Sequence, residues 1–350
     1  MSPGQRGPGT RQGGAAILMA MLTLTLVATL AVSLMWQQWR GVATETAQRS
    51  RMQAQWILAG ALDWARLILR EDARQGGPDH LGEPWAIALA PARLSTFLAA
   101  QRGEATVADD TLDADAVFLS GHIDDMQGRL NLTNLIENDH LHVPTVAIWQ
   151  RLFEQQHLPA GQLQALLAAL ERLARAAGKP VTGGDAAPAA PASPPLWPQT
   201  VQDLTTLGLS AAVVRTLEPW VSVLPARTPV NLNTAPAPVL RACIANLDAG
   251  QAERLLRLRA QRHLATLIEG EQRLGLPQVR LDANLHGVAS RFFRVTGVLR
   301  WGEVTMQAQS LVQRDGLVVR TLWRAPLALR PTNDAPPSTT PDALAAGALQ

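Results

Sequence analysis

Apolar and polar positions are unevenly spread along the chain, and the most uneven stretch is near its start. Ala15 to Met35 is a run of 21 residues without a charge, preceded by a Gly/Pro-rich leader that carries Arg6 and Arg11 and no acid. A helix rising about 1.5 Å per residue carries such a run across a hydrocarbon core of roughly 30 Å, so a transmembrane helix is predicted over residues 15–35. Trp36, Trp39 and Arg40 follow, where interfacial aromatics and a snorkelling base would mark the far headgroup layer. The run exceeds the roughly 7–15 apolar residues of a cleavable signal, and Ala31-Val32-Ser33 makes an imperfect cleavage site. A buried soluble helix would need an apolar surround on every side. The leader's arginines favour a cytoplasmic N-terminus, with Arg40, Arg49 and Arg51 pulling the other way.

The helical pattern continues beyond the apolar run. No Pro occurs from Gln37 to Arg74, and Ile57, Ala61, Trp64 and Ile68 recur at helical spacing beside Leu58, Leu62, Ala65 and Leu69. One long helix is therefore expected, its second half lying on a globular core and ending at Gly76-Gly77-Pro78. Ala116 to Ile123 reads as a strand closed by the turn residues Asp124 to Gly128. Phe292–Gly297, Val304–Gln313 and Leu317–Arg324 alternate with period two, separated by Trp301-Gly302-Glu303 and Arg314-Asp315-Gly316, which predicts a three-stranded antiparallel meander. Between these β regions lie helical segments near 144–156, 160–177, 200–218, 236–246 and 250–263, interrupted by a Pro/Ala/Gly-rich stretch at 178–198.

Several motifs resemble the type IV pilin and pseudopilin family, and within it the protein K type of large minor pseudopilins of type II secretion. Arg11-Gln12-Gly13-Gly14-Ala15-Ala16-Ile17-Leu18 is similar to a prepilin processing site, and Leu81-Gly82-Glu83-Pro84-Trp85-Ala86 follows the first helix. Gly121-His122-Ile123-Asp124-Asp125-Met126-Gln127-Gly128-Arg129-Leu130-Asn131-Leu132 and Val230-Asn231-Leu232-Asn233-Thr234-Ala235-Pro236 complete the signature in family order.

The resemblance implies an α+β fold: a pilin-like α/β domain with an antiparallel sheet and a large all-α insertion of SAM-like or helix-hairpin-helix-like form. The expected organisation is a cleaved leader at 1–14, a transmembrane helix at 15–35, and the helix and first part of the pilin-like domain at 36–135. A helical insertion at 136–284, completing strands at 285–328 and a disordered tail at 329–350 follow. The resemblance also implies cleavage by a prepilin peptidase between Gly14 and Ala15 and methylation of the new amine. The chain would then sit in the inner membrane as a single-pass protein with a periplasmic globular part. Its implied partners are minor pseudopilins of the I and J types, the major pseudopilin, the inner-membrane platform and the secreted proteins. Family members usually carry Glu at the fifth mature position, where this chain has Met19. A carboxylate in hydrocarbon costs at least about 2.5–3.5 kcal/mol unless paired, so its absence suits a subunit at the end of a filament, where no neighbouring amine is offered. The alternatives are an unrelated bitopic periplasmic protein and a DNA-binding uptake component of helix-hairpin-helix type.

Composition adds little to this picture. The 350 residues are 47% apolar with no Tyr, which favours helices, and a net charge of +2 gives no global basic field. Cys243 is the only cysteine and forms no intramolecular disulfide.

Local chemistry offers two further candidates. Asn233 or Thr234 is positioned to cap a helix starting near Ala235-Pro236, and a turn at Leu247–Gly250 leads to a helix with Arg254, Arg257, Arg259 and Arg262. That has a helix-hairpin-helix look without the Gly-apolar-Gly core that meets DNA phosphates; a solvated arginine face or protein contact is the competing reading, and no nucleic-acid partner is expected. Asp109, Asp110, Asp113 and Asp115, with Asp124 and Asp125, supply oxygen ligands that would suit calcium if the loop folds back, against the alternative of a solvated loop. The spacing is not that of an EF-hand. Histidines, glycines and Cys243 form no catalytic, phosphate-binding or dinucleotide pattern, so no enzyme is expected.

Overall fold

A computed structural model of the chain describes residues 13–96, 117–177, 197–276, 279–302, 304–325 and 328–331. Helix α1 is Gly13–Gln75. Its part up to Ile57 belongs to one unit, and the chain from Leu58 onward forms a second. In the first unit Ile17, Leu22, Leu30 and Met35 are all more than half exposed, and the apolar stretch has a mean hydropathy of 2.4, long and apolar enough to cross a membrane. The hydroxyls of Thr23, Thr25 and Thr29 donate to carbonyls three or four residues earlier at 2.9–3.0 Å. These three hydroxyls thus find acceptors inside the helix itself, the arrangement that a hydrocarbon surround favours.

In the second unit the last turns of α1 bury Leu58, Leu62, Ala65 and Leu69, a continuous i, i+4, i+7, i+11 row, while Ala61, Trp64 and Ile68 flank it half-buried. The helix stops where expected. Gly76 and Gly77 have φ of 66° and 111°, a left-handed conformation that glycine adopts without a Cβ penalty.

The row of α1 lies on an antiparallel sheet with strand order β1-β2-β3-β4-β5: β1 (Leu89–Arg93), β2 (Val117–Asp125), β3 (Phe292–Trp301), β4 (Val304–Asp315) and β5 (Val318–Arg324). The predicted meander is β3 to β5. Strand β1 was not expected, because Pro91 cannot donate to a ladder; it is tolerated on an edge strand whose register shifts between Leu89 and Ala92. A further strand, β6 (Ala328–Pro331), pairs with Val304–Gln307 of β4. The tail expected to be disordered from residue 329 therefore begins inside a strand, since the free edge of β4 satisfies its backbone groups. Strands β2 and β3 are direct neighbours although the helical region separates them in the chain. Gly121 faces Gly297 across this pair, and a Cβ at Gly297 would lie 3.2 Å from Leu58 Cδ2, so the glycine lets α1 pack close to the sheet.

Between β2 and β3 the helices are α2 (Val143–Gln155), α3 (Ala160–Ala177), α4 (Ala211–Leu217), α5 (Ala237–Cys243), α6 (Ala249–Gln261) and α7 (Leu267–Leu274). They enclose their own core, in which Trp149, Leu152, Leu166, Leu170, Leu217 and Leu240 are fully buried. Each such side chain removed from water contributes about 1.5–3 kcal/mol. Two local readings change. The segment 200–218 is a 3-10 turn at Gln202–Leu207, a break at Gly208 with φ 100°, and then α4, whose N-cap Ser210 accepts from the Val213 amide. Helix α7 was not expected because Gly270 lies at its centre. Thr266 caps it, and Gly270 packs where a Cβ would come within 3.1 Å of Leu281.

Candidate functional site

The two strongest motifs meet in space. Strand β2 ends at Asp125, whose Oδ1 accepts from the Gln127 amide at 2.8 Å and so starts the turn Met126–Gly128. Its Oδ2 accepts from Asn231 Nδ2 at 2.9 Å, Thr234 Oγ1 at 2.6 Å and Ser290 Oγ at 2.6 Å. Burial raises the Asp125 carboxyl above its ordinary range, opposed by the hydrogen bonds from Ser290, Thr234, Gln127 and Asn231. Beside it, Gln127 Nε2 donates to the Pro229 carbonyl at 3.2 Å, and its Oε1 accepts from the Arg291 amide at 2.7 Å. A Cβ at Gly128 would lie 2.8 Å from Thr234 Oγ1, so only glycine lets the motifs approach this closely.

Asparagines extend the junction. Asn231 also donates to the Asp79 carbonyl at 3.1 Å, and Asn131 donates to the Ala226 carbonyl at 2.8 Å while accepting from the Leu224 amide at 3.2 Å. Asn134 binds both backbone groups of Thr228, its Oδ1 accepting at 2.9 Å and its Nδ2 donating at 2.6 Å. A side-chain amide carries both donor and acceptor, which lets one residue pin a loop through two backbone groups. Asn233 does this to Leu264, at 2.8 and 3.0 Å. Neither Asn233 nor Thr234 caps α5 as expected: both side chains are engaged in the junction, and the N-cap is Pro236. The following hairpin is as expected at α6, where Asp248 and Gln251 form a capping box. One of its four arginines turns inward: Arg259 Nη1 donates to the carbonyls of Leu232 and Ala235 at 2.6 Å each, and burial lowers its guanidinium to about 10.

A charged cluster adjoins the junction and ties the loop after α1 to the sheet. Arg314 Nη1 pairs with Asp72 and Nη2 with Asp79, both at 2.5 Å, and Nη2 also donates to the Ser290 carbonyl at 2.9 Å. The other Asp79 oxygen accepts from the Ser290 amide at 2.6 Å. Glu83 Oε2 accepts from the His80 amide and from Trp85 Nε1, both at 2.8 Å, which explains the Glu83-Pro84-Trp85 motif locally. Burial raises Asp79 against the pull of Arg314; burial and then the Glu83 charge raise Asp72. Carboxylate oxygens of Asp72, Asp79 and Glu83 lie within 4.8 Å of one another. The pairing of Arg314 with Asp72 and Asp79 escaped the sequence reading because Arg314 stands 235 residues from Asp79 and 242 from Asp72, near the end of β4 where the sequence reads only as a turn.

Of the other expected site residues, Gly14 and Ala15 lie in the first turn of α1, and Met19 is 66% exposed on its apolar stretch. Asp109, Asp110, Asp113 and Asp115 lie outside the described residues. Asp124 accepts from Arg294 Nη2 at 2.9 Å with His122 Nε2 at 3.5 Å; burial would raise its carboxyl, but these two partners hold it well below the usual carboxylate range. Asp124 and Asp125 thus direct carboxylate oxygens at protein donors. Cys243 is buried in α5, and burial pushes its thiol up to about 12.

Family models described as type II secretion system protein K match residues 128–226 and 230–289. A curated type II secretion system protein K of Pseudomonas aeruginosa is 28% identical over 317 residues, covering 87% of this chain and 89% of that protein. Over most of its length the chain is similar to type II secretion system protein K. A protein K of Pectobacterium carotovorum is 25% identical over 337 residues, covering 90% of this chain and 96% of that one. A chain in the crystal structure of the GspK-GspI-GspJ complex of enterotoxigenic Escherichia coli shares the fold, with a TM-score of 0.56, 18% identity and coverage of 80% of this chain and 97% of that one. The protein K matches begin at Gly128 and Val230 and hold Asn131, Asn134, Asn231 and Thr234. Asp125, Gln127 and Ser290 flank them.

Proposed function

We propose that this protein is the minor pseudopilin at the tip of a periplasmic pseudopilus, anchored in the inner membrane by residues 15–35, with the unit from Leu58 onward in the periplasm. The observation that carries the reading is the acid-free start of α1. No carboxylate precedes Glu45, so the fifth mature position, Met19, has nothing to offer a neighbour's amine below it. The helical region between β2 and β3 supports the same place, because its bulk suits an end of a filament better than a tightly packed wall. Immediate partners are minor pseudopilins of the I and J types, consistent with the complex in which the similar Escherichia coli chain was solved. The major pseudopilin and the inner-membrane platform complete the assembly, which the subunit primes and which pushes folded proteins through the outer membrane. Its role is structural.

The deciding measurement is the intact mass of the protein extracted from membranes that contain a prepilin peptidase. A chain starting at a methylated Ala15 is expected. An intact Met1 overturns the reading, and failure to copurify with I- and J-type subunits after correct processing overturns the tip assignment alone.

A further inference from the structure

A groove of about 980 Å³ opens between the loop after α1 and the C-terminal half of α6. Arg257, Arg259, Arg262, His80 and His263 line it, and among the described residues no carboxylate does. The two histidine rings stack, with centroids 4.0 Å apart and planes 13° from parallel. Arg259 is occupied by backbone carbonyls, and Asn233 and Thr234, also in the lining, are held by Leu264 and Asp125. Arg257 and Arg262 remain available. Arg257 is exposed and makes no ion pair or side-chain hydrogen bond among the described residues, and Arg262 is 77% exposed with Glu269 only at 4.0 Å. Leu81 is 57% exposed and shares the lining with Pro236, Ala237, Leu256 and Ala260.

We propose that this groove binds an acidic polypeptide segment, with two carboxylates on Arg257 and Arg262 and an apolar side chain on Leu81. Guanidinium groups take carboxylates in a bidentate fork, and positive lining without an acid suits an anionic partner. Arg257 lies in the last turns of α6, and Arg262 follows its end in extended conformation. Carboxylates at alternate positions of an extended segment point to one side, so a single strand can offer two of them to the two guanidiniums. Duplex DNA fits poorly, because two available guanidiniums fall well short of the roughly 6–10 phosphate contacts that give strong binding.

The test is fluorescence anisotropy of a labelled Leu-Glu-Ala-Glu peptide with the full chain in detergent micelles. Saturable binding that weakens as salt rises is expected. Arg257→Glu with Arg262→Glu is expected to weaken it about tenfold or more. Arg215→Glu with Arg254→Glu makes the same charge change on exposed helix faces outside the groove and is expected to leave binding unchanged. Arg257→Ala, which barely alters the helix, is expected to show a smaller loss in the same direction. No saturable binding overturns the proposal. So does an equal loss in the two charge-matched variants, equal binding of a Leu-Gln-Ala-Gln peptide, or displacement of the peptide by duplex DNA at equal concentration.

Discussion

Asp125 and Asn231 stand 106 residues apart in the chain and 2.9 Å apart in the fold. Each belongs to one of the two motifs that read as family signatures, and their contact explains why both are spelled as they are. Asp125 gathers donors from Asn231, Thr234 and Ser290, so one carboxylate joins the end of β2, the start of the second matched span and the approach to β3.

Removing that carboxylate strands buried donors. Each donor left without an acceptor costs about 1–3 kcal/mol, so Asp125→Ala is expected to lower stability by about 3 kcal/mol or more. Urea unfolding of the full chain in detergent checks this, and a loss below about 0.5 kcal/mol would contradict the junction's structural role.

The close approach at Gly128 makes a second prediction. A methyl group 2.8 Å from Thr234 Oγ1 forces the motifs apart, so Gly128→Ala is expected to destabilise by about 1–3 kcal/mol. Combining it with Thr234→Ala removes the clashing hydroxyl along with its bond to Asp125. The double variant is expected to lose less than the sum of the single ones, which a double-mutant cycle measures.

The pH dependence follows from the direction of the shift at Asp125. Its folded-state carboxyl titrates above the ordinary 3.8, so the folded protein holds the proton more tightly than the unfolded chain. That contribution is fully present below about pH 3.8 and is lost as pH rises through the folded value. The neutral Asp125→Asn variant lacks this dependence. The stability of the native protein relative to the variant is therefore expected to fall as pH rises from 4 toward neutrality, and a rise across that range, in paired denaturant titrations, would reverse the sign argued here. Asp124 acts oppositely. Its depressed carboxyl contributes stability above its ordinary value that is lost on acidification.

Cys243 provides a simple probe of the helical core. A buried thiol pushed up to about 12 offers almost no thiolate at pH 8, so maleimide labelling of the native protein is expected to be negligible and to become complete in denaturant. Rapid native labelling would mean that α5 opens readily.

Legibility in the sequence tracked the range of the interactions. Residues 13–75 were readable because Pro is absent throughout, charge is absent from Ala15 to Met35 and apolar residues then recur at helical spacing, and because Gly76-Gly77 can adopt left-handed angles that other residues resist. The meander was readable from alternation and two glycine turns. Gly270 hid α7, and Pro91 hid β1, because local propensity there opposes the element that long-range packing enforces.

By itself, then, the sequence determined the elements: the long apolar helix, the buried row of α1, the meander and the signature motifs. The tertiary structure alone decided what the signature residues do. Thr234 was free to be a cap until Asp125 stood 2.6 Å away, and Arg314 was a turn residue until the sheet carried it to Asp72 and Asp79. Hydrogen bonds between groups a hundred or more residues apart leave no periodic trace in the chain, since their spacing is set by how strands pair and loops close rather than by local backbone geometry.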